Sequence, residues 1–221
     1  SPLHREQLET IGTSGAHLLN FISDILDVSK IEAGHVKVEI SVFNLPQFIH
    51  SLTQFFEIQA QQKNLRFEVN LAPDLPQTIH SDEGKLRQIL INLLSNAFKF
   101  TPTGSVTFTM APQDTPDSPA LYFSVQDTGI GISEADLEKI YDPFFQIINP
   151  VDQENSVQGT GLGLCICKNF VELLGGTLRC ESIPQQGSHF FFSLPLDFPI
   201  SPMKNLISPA IQPPSSRLLP S

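Results

Sequence analysis

The sequence predicts a mixed α/β fold entered through one long bundle helix. Two patterns carry that expectation. Between Arg5 and Glu32 there is no proline, and Leu8, Ile11, Gly15, Leu18, Ile22, Ile25 and Ser29 recur in alternating steps of three and four. Such a stripe, widened by Leu19, Phe21 and Leu26, is the seam of a bundle or coiled-coil helix. From about Val36 to Leu196, stretches of period-two alternation exchange with stretches of helical spacing, as strands and helices around one core do. A third pattern closes the chain: residues 195–221 hold seven of its 18 prolines and no helical stripe, the composition of a linker.

With 221 residues, 40% of them hydrophobic, the chain is long enough for one sizeable core and an appendage. Its 13 basic and 23 acidic side chains leave a formal charge of −10, which argues against a nucleic-acid backbone as the main partner. No apolar run approaches the roughly 18 residues of a membrane-spanning helix, and no signal-peptide pattern opens the chain. Cys165, Cys167 and Cys180 form no CxxC pair and have no histidine at ligand spacing. Free thiols in a reducing, cytoplasmic setting are expected; structural zinc and a disulfide framework are not.

Each element follows from its own signal. Gly34 stops the first helix. Val36–Ile40 alternates as a half-buried strand, and Leu45–Gln62 places Phe48, Ile49, Leu52, Phe55, Phe56 and Ile58 at helical spacing. Leu65–Leu71 alternates again. Ser81 or Asp82 caps a helix over Glu83–Phe100, whose apolar set is Leu86, Ile89, Leu90, Leu93, Leu94 and Ala97. Strands follow at Ser105–Met110 and Leu121–Gln126, then a short helix near Ser133–Ile140 with Glu134 and Asp136 in its first turn. A helix from Gly163 to Leu174 ends at Gly175-Gly176, and Thr177–Ser182 and Ser188–Leu196 close as a hairpin around Pro184 to Gly187.

Three segments carry chemistry. On the helix 83–100, Asn92 and Asn96 are four residues apart and leave the same face, with Lys99 one turn on. Neutral amide oxygens suit Mg²⁺ and an ammonium suits phosphate, although a solvated helix face would hold the same residues. After the strand 121–126 comes Asp127-Thr128-Gly129-Ile130-Gly131. Its glycines let a flat ligand approach, and Asp127 is placed to accept from an exocyclic amine; a capped strand-end turn reads the same way. Gly159-Thr160-Gly161-Leu162-Gly163 feeds a helix N-terminus, which offers unpaired N–H groups to an anion, or is simply a flexible loop. It matches neither a Walker sequence nor a dinucleotide fingerprint. Between the glycine segments, Phe144 and Phe145 of Asp142-Pro143-Phe144-Phe145 read as core anchors that pin a movable lid over Asn149–Gln158.

The order of these segments is more specific than any one of them. NxxxNA, DTGIGI, DPFF and GTGLGL, inside an alternating region of about 160 residues, resemble the N, G1, F and G2 boxes of the catalytic, ATP-binding domain of a sensor histidine kinase. Ser14–Gly34 (SGAHLLNFISDILDVSKIEAG) resembles the second helix of that family's dimerisation hairpin. The resemblance implies an α/β two-layer sandwich, a mixed sheet covered on one face by three helices, that holds ATP and Mg²⁺ under a lid. It implies that Asn96 ligates Mg²⁺ and Asn92 supports the metal and phosphates, while Lys99 contacts phosphate. Asp127 would read the adenine amino group, Gly129 and Gly131 would shape the base pocket, and Gly159, Gly161, Leu162 and Gly163 would form the closing lid. It divides the chain into the hairpin's second helix (1–34) and a catalytic ATP-binding domain (35–197), followed by a Pro/Ser-rich linker or disordered tail (198–221). Where related hydrolases of this fold place a glutamate as general base, this chain has Asn92, an amide that takes no proton.

One departure stands out. The family's phosphoacceptor lies in a His-Glu segment on the first hairpin helix, yet none of His4, His17, His35, His50, His80 and His189 is followed by an acid. The first hairpin helix is therefore expected to lie outside this chain, which reads as part of a longer kinase. Implied partners are a second copy through the bundle helix, the missing phosphoacceptor helix and a response-regulator receiver domain, with no nucleic acid and no membrane contact. A sensory unit, membrane-anchored in some members, would lie upstream. Two other readings stay open: a serine-directed kinase of the same superfamily, and a nucleotide-binding regulatory module without transfer.

Overall fold

A computed structural model describes residues 2–114, 119–147 and 159–195. The expected linker 198–221 and the whole of the expected lid run Asn149–Gln158 lie outside the described residues.

Helix α1 (Pro2–Glu32) ends as its glycine predicts: Gly34 turns left-handed at φ 65°, and the His35 N–H reaches back to the Lys30 carbonyl at 2.8 Å. The next stretch corrects the sequence. Residues 36–40 alternate but form no strand; β1 lies just beyond, at Ser41–Asn44, and pairs antiparallel with β3 (Thr78–Ser81), which has too few residues to show a period. The Glu39 N–H bonds instead to the Asp82 carboxylate at 2.9 Å, so alternation here reflects side-chain packing without a neighbouring ladder.

Helix α2 (Leu45–Lys63) starts on Asn44, whose side chain accepts the Gln47 N–H, and stops at left-handed Asn64. Leu45, Phe48, Ile49, Leu52, Phe56 and Ala60 face inward, whereas Phe55 and Ile58 of the expected stripe are exposed. After β2 (Arg66–Leu71) and β3 comes α3 (Glu83–Phe100), capped by Asp82 rather than Ser81. Strands β4 (Ser105–Asp114) and β5 (Pro119–Asp127), the short α4 (Glu134–Leu137) on its Ser133 cap, α5 (Gly163–Leu173), β6 (Arg179–Ile183) and β7 (Gly187–Pro195) complete the fold.

Five strands form one mixed sheet in the order β2-β4-β5-β7-β6, parallel between β2 and β4 and antiparallel elsewhere. One sheet face presents Val106, Phe108, Met110, Leu121, Phe123, Val125, Phe190, Phe192 and Leu194, all buried with the inward residues of α2, α3 and α5. Phe123 and Phe192 stack across β5 and β7 at 4.9 Å, and Phe56 stacks on Phe98 between α2 and α3 at 5.4 Å. Truncating any of these rings to alanine costs about 3–5 kcal/mol, so the α/β sandwich is held chiefly by this layer. The two-layer architecture with three helices on one face is therefore present.

Phe21 departs from the expected seam. It packs against the core with Ile31, and Val28 between them is buried. Leu18, Leu19, Ile22, Ile25 and Leu26 remain exposed on the other side of α1. The helix carries two apolar stripes, one turned inward and one left open.

Candidate functional site

Helix α3 buries Leu93, Leu94, Ala97 and Phe98, so Asn92, Asn96 and Lys99 emerge on a neighbouring face. The glycine segment before α5 lies against that face. Asn92 Nδ2 donates to the Gly163 carbonyl at 3.4 Å, and a Cβ at Gly159 would sit 3.2 Å from Lys99 Nζ. The Asn96 amide, between these two contacts, makes no hydrogen bond among the described residues. Lys99 has no carboxylate partner there either; its ammonium lies over the Phe100 ring at 5.1 Å, and partial burial holds its pKa below the usual lysine range.

At the C-terminal end of α3 sits the second segment. The Ile130 N–H bonds to the Phe100 carbonyl at 3.1 Å, and a Cβ on Gly129 would fall inside that carbonyl, so only glycine allows this approach. Asp127, at the end of β5, is 6% exposed. Its carboxylate accepts the Gly129 N–H at 2.8 Å and the Ser188 N–H, while the neighbouring Thr101 hydroxyl gives its proton to the Ala97 carbonyl at 2.7 Å. Burial nevertheless wins and raises its pKa above the ordinary aspartate value; the polar groups around the carboxylate offset only part of that cost. Gly131 abuts the Ile183 carbonyl in the β6–β7 hairpin, and the Ile132 N–H donates to Ser182 Oγ at 2.8 Å. Ser188 escaped sequence reasoning because it looks like an ordinary strand terminus; only the folded register of β5 and β7 brings it to Asp127.

The third segment is held at its base. The Phe144 N–H bonds to the Gly161 carbonyl at 3.0 Å, and Gln146 Nε2 donates to the Gly159 carbonyl at 2.8 Å. Gly161 is left-handed at φ 72°, and a Cβ there would lie 2.8 Å from the Phe144 carbonyl carbon. The expected pair of aromatic anchors divides: Phe145 packs on the core, but Phe144 is exposed at φ 66° and anchors the segment through its backbone. Leu162 is fully buried, and its N–H is taken by Thr160 Oγ1 at 3.1 Å, so it pins the segment rather than facing a ligand. No side chain caps α5, which leaves the N–H groups of its first turn unclaimed by any cap.

These segments converge. Among the described residues, an unpartnered amide, an ammonium without a counter-ion and an uncapped helix N-terminus meet on one side of α3, with a buried carboxylate at the far end. That donor set fits a polyanion carrying a divalent cation. Among the described residues no cluster of three His, Cys, Asp or Glu could hold a metal ion. The three cysteines are free as expected; burial pushes Cys167 and Cys180 to about 12. Among the described residues no helix is long and apolar enough to cross a membrane.

Residues 81–198 match the family described as histidine kinase-, DNA gyrase B-, and HSP90-like ATPase. The chain is 38% identical over 194 residues to the autoinducer 2 sensor kinase/phosphatase LuxQ of Vibrio vulnificus, covering 87% of this chain and 22% of that protein. It thus spans about a fifth of this relative. Among solved structures, full-length ShkA in complex with AMPPNP superposes with a TM-score of 0.75 at 28% identity, covering 90% of this chain and 40% of that one. The histidine kinase ThkA in complex with the response regulator TrrA gives 0.63 at 25% identity, over 86% of this chain and 51% of that one.

Proposed function

Because this chain belongs to the histidine kinase-, DNA gyrase B-, and HSP90-like ATPase family, we propose that it is the ATP-binding core of a sensor histidine kinase. Its relatives' names and the AMPPNP complex of ShkA support that reading. In it, the γ-phosphate of ATP passes to a histidine on a dimerisation helix outside this chain. One observation carries the proposal: the Asn92–Asn96–Lys99 face touches the flap at Gly163 and Gly159, while the Asp127 loop clamps the end of the same helix.

Roles follow from chemistry. The Asn96 amide oxygen is the Mg²⁺ ligand and Asn92, held by Gly163, supports the metal and phosphates. Lys99 neutralises phosphate charge, helped by the N-terminus of α5. Asp127 accepts from the adenine amino group, with Gly129 and Gly131 forming the wall of the base pocket. Gly159, Gly161 and Gly163 admit phosphate oxygens close to the backbone, and Leu162 anchors them. Bound Mg²⁺ supplies charge neutralisation of the transferring phosphoryl group. Asn92 has no basic lone pair to activate water, which favours transfer over hydrolysis.

The same reading assigns residues 1–34 to the second helix of a dimerisation hairpin, 35–197 to the catalytic domain and 198–221 to a linker. The open stripe of α1 supports pairing with a second copy, and the ThkA–TrrA complex supports a response-regulator partner. A cytoplasmic setting accords with three free cysteines. The test is calorimetry with Mg-ATP, followed by addition of a separately produced phosphoacceptor hairpin. Asn96→Ala is expected to abolish the Mg²⁺-dependent part of ATP affinity and phosphohistidine formation. Unchanged Mg-ATP affinity in that variant would overturn the site; acid-stable product would overturn the acceptor.

A further inference from the structure

The bundle helix reaches the flap. Asp24 Oδ2 accepts the Thr160 hydroxyl at 3.1 Å, and one turn later Asp27 Oδ2 accepts Gln88 Nε2 of α3 at 3.2 Å. Around them Phe21, Val28 and Ile31 pack on the catalytic core, so the docking is a continuous surface rather than one contact. Thr160 is shared: the oxygen that gives its proton to Asp24 also accepts the Leu162 N–H, at the entrance to α5. Asp24 is half-buried, and burial raises its pKa, with Asp27 adding to the rise and the Thr160 bond opposing it.

We propose that Asp24 is a positioning residue that latches the glycine flap to the bundle helix and, through its charge, opposes binding of a polyphosphate. This inference rests on the nucleotide reading of the site. The N-terminus of α5 attracts anions, and both Asp24, through Thr160, and a triphosphate approach that end. Two like charges near one positive end, in a partly water-excluded place, weaken each other's hold. Docking of α1 and binding of triphosphate are thereby negatively coupled, and by reciprocity triphosphate loosens α1. Adenosine, which has no phosphate, is indifferent to the latch.

The test compares Mg-ATP and adenosine binding by calorimetry in the whole chain. Asp24→Asn keeps an acceptor oxygen for Thr160 and removes the charge; Asp24→Ala removes both. Mg-ATP is expected to bind Asp24→Asn on the order of fivefold more tightly, with adenosine unchanged and the gain shrinking at high salt. Asp24→Ala is expected to bind Mg-ATP at least as tightly as Asp24→Asn. Equal Mg-ATP affinity in wild type and Asp24→Asn, parallel shifts for both ligands, or weaker binding by Asp24→Ala than by wild type would each overturn the latch. If the wild-type chain binds neither ligand, the nucleotide reading itself is wrong, a result distinct from any of these.

Discussion

Replacing Asp127 separates what the fold needs from what the ligand needs. Two backbone donors end on its carboxylate, from Gly129 and Ser188, in a place that is 6% exposed. Asp127→Ala strands both. A buried donor without an acceptor costs about 1–3 kcal/mol, and part of the sum is returned by removing a desolvated charge, so a net loss of roughly 2–4 kcal/mol is expected. Asp127→Asn keeps the shape and one acceptor oxygen, and should lose about 1–2 kcal/mol, the cost of leaving one donor facing an amide NH₂. Urea unfolding of both variants measures these losses at constant m-value. In ligand binding, both variants are expected to lose the preference for adenine over guanine nucleotides. Asp127→Ala unfolding within about 0.5 kcal/mol of wild type, the range of an ordinary surface change, would refute the geometry from which these figures come.

The pH dependence of the same residue has two opposite signs. Its folded pKa is raised, so the folded chain holds the proton more tightly than the unfolded chain does. Its stability contribution is therefore complete at acid pH and is lost as pH rises through the folded pKa. On the proposed reading the carboxylate is the acceptor for adenine, so nucleotide affinity is expected to fall as pH drops through that raised value, above the ordinary aspartate range. Asp127→Asn abolishes both trends.

Two further perturbations isolate other parts. Asp82 caps α3 through the Lys85 N–H, pairs with Lys85 Nζ at 2.6 Å and ties down Glu39, so Asp82→Ala is expected to lose about 2–3 kcal/mol in denaturant unfolding. Burial works against its charge but the Lys85 and Glu39 bonds prevail and lower its pKa, so its contribution is present at neutral pH and fades as pH falls through the folded value. Lys99→Met should leave unfolding unchanged, since Lys99 has no counter-ion among the described residues, yet weaken Mg-ATP about tenfold or more by loss of a charge-assisted bond. Adenosine affinity in that variant should not move.

What was legible in the sequence divides along a physical line. Helix α3 was readable to the residue because capping, apolar spacing and length all agree over Glu83–Phe100. The glycine segments were readable because glycine marks places where backbones meet or turn, as Gly129 against Phe100 and Gly161 against Phe144 bear out. Pairing was not readable. Val36–Ile40 alternates as cleanly as a strand, but whether a ladder forms depends on what lies beside it, and here that is a carboxylate. Strand β3 has four residues, too short for a period to declare itself. Exposure also escaped: Phe55, Ile58 and Phe144 are apolar yet face outward, since residue type alone does not fix which side of an element is covered. Ser188 and Thr160 gain their roles from partners far off in the chain, and no local pattern encodes them.

The two stripes of α1 set a constraint on how anything happening in the bundle reaches the site. Residues 21, 24, 28 and 31 face the catalytic unit, while residues 18, 22 and 25 face away. In an α-helix these sets are fixed relative to each other by about 100° per residue, because backbone hydrogen bonds resist twisting. A change in how the outer stripe packs, by rotation or by a shift of one turn, must therefore move Asp24 with respect to Thr160. Val28 is buried on the docked side, so small displacements are resisted by packing, and the docked and released arrangements become alternatives rather than a continuum. The hydrogen bond to Thr160 sits where that choice meets the flap, which is why the effect of Asp24 on triphosphate, and not on adenosine, is the quantity that reports it.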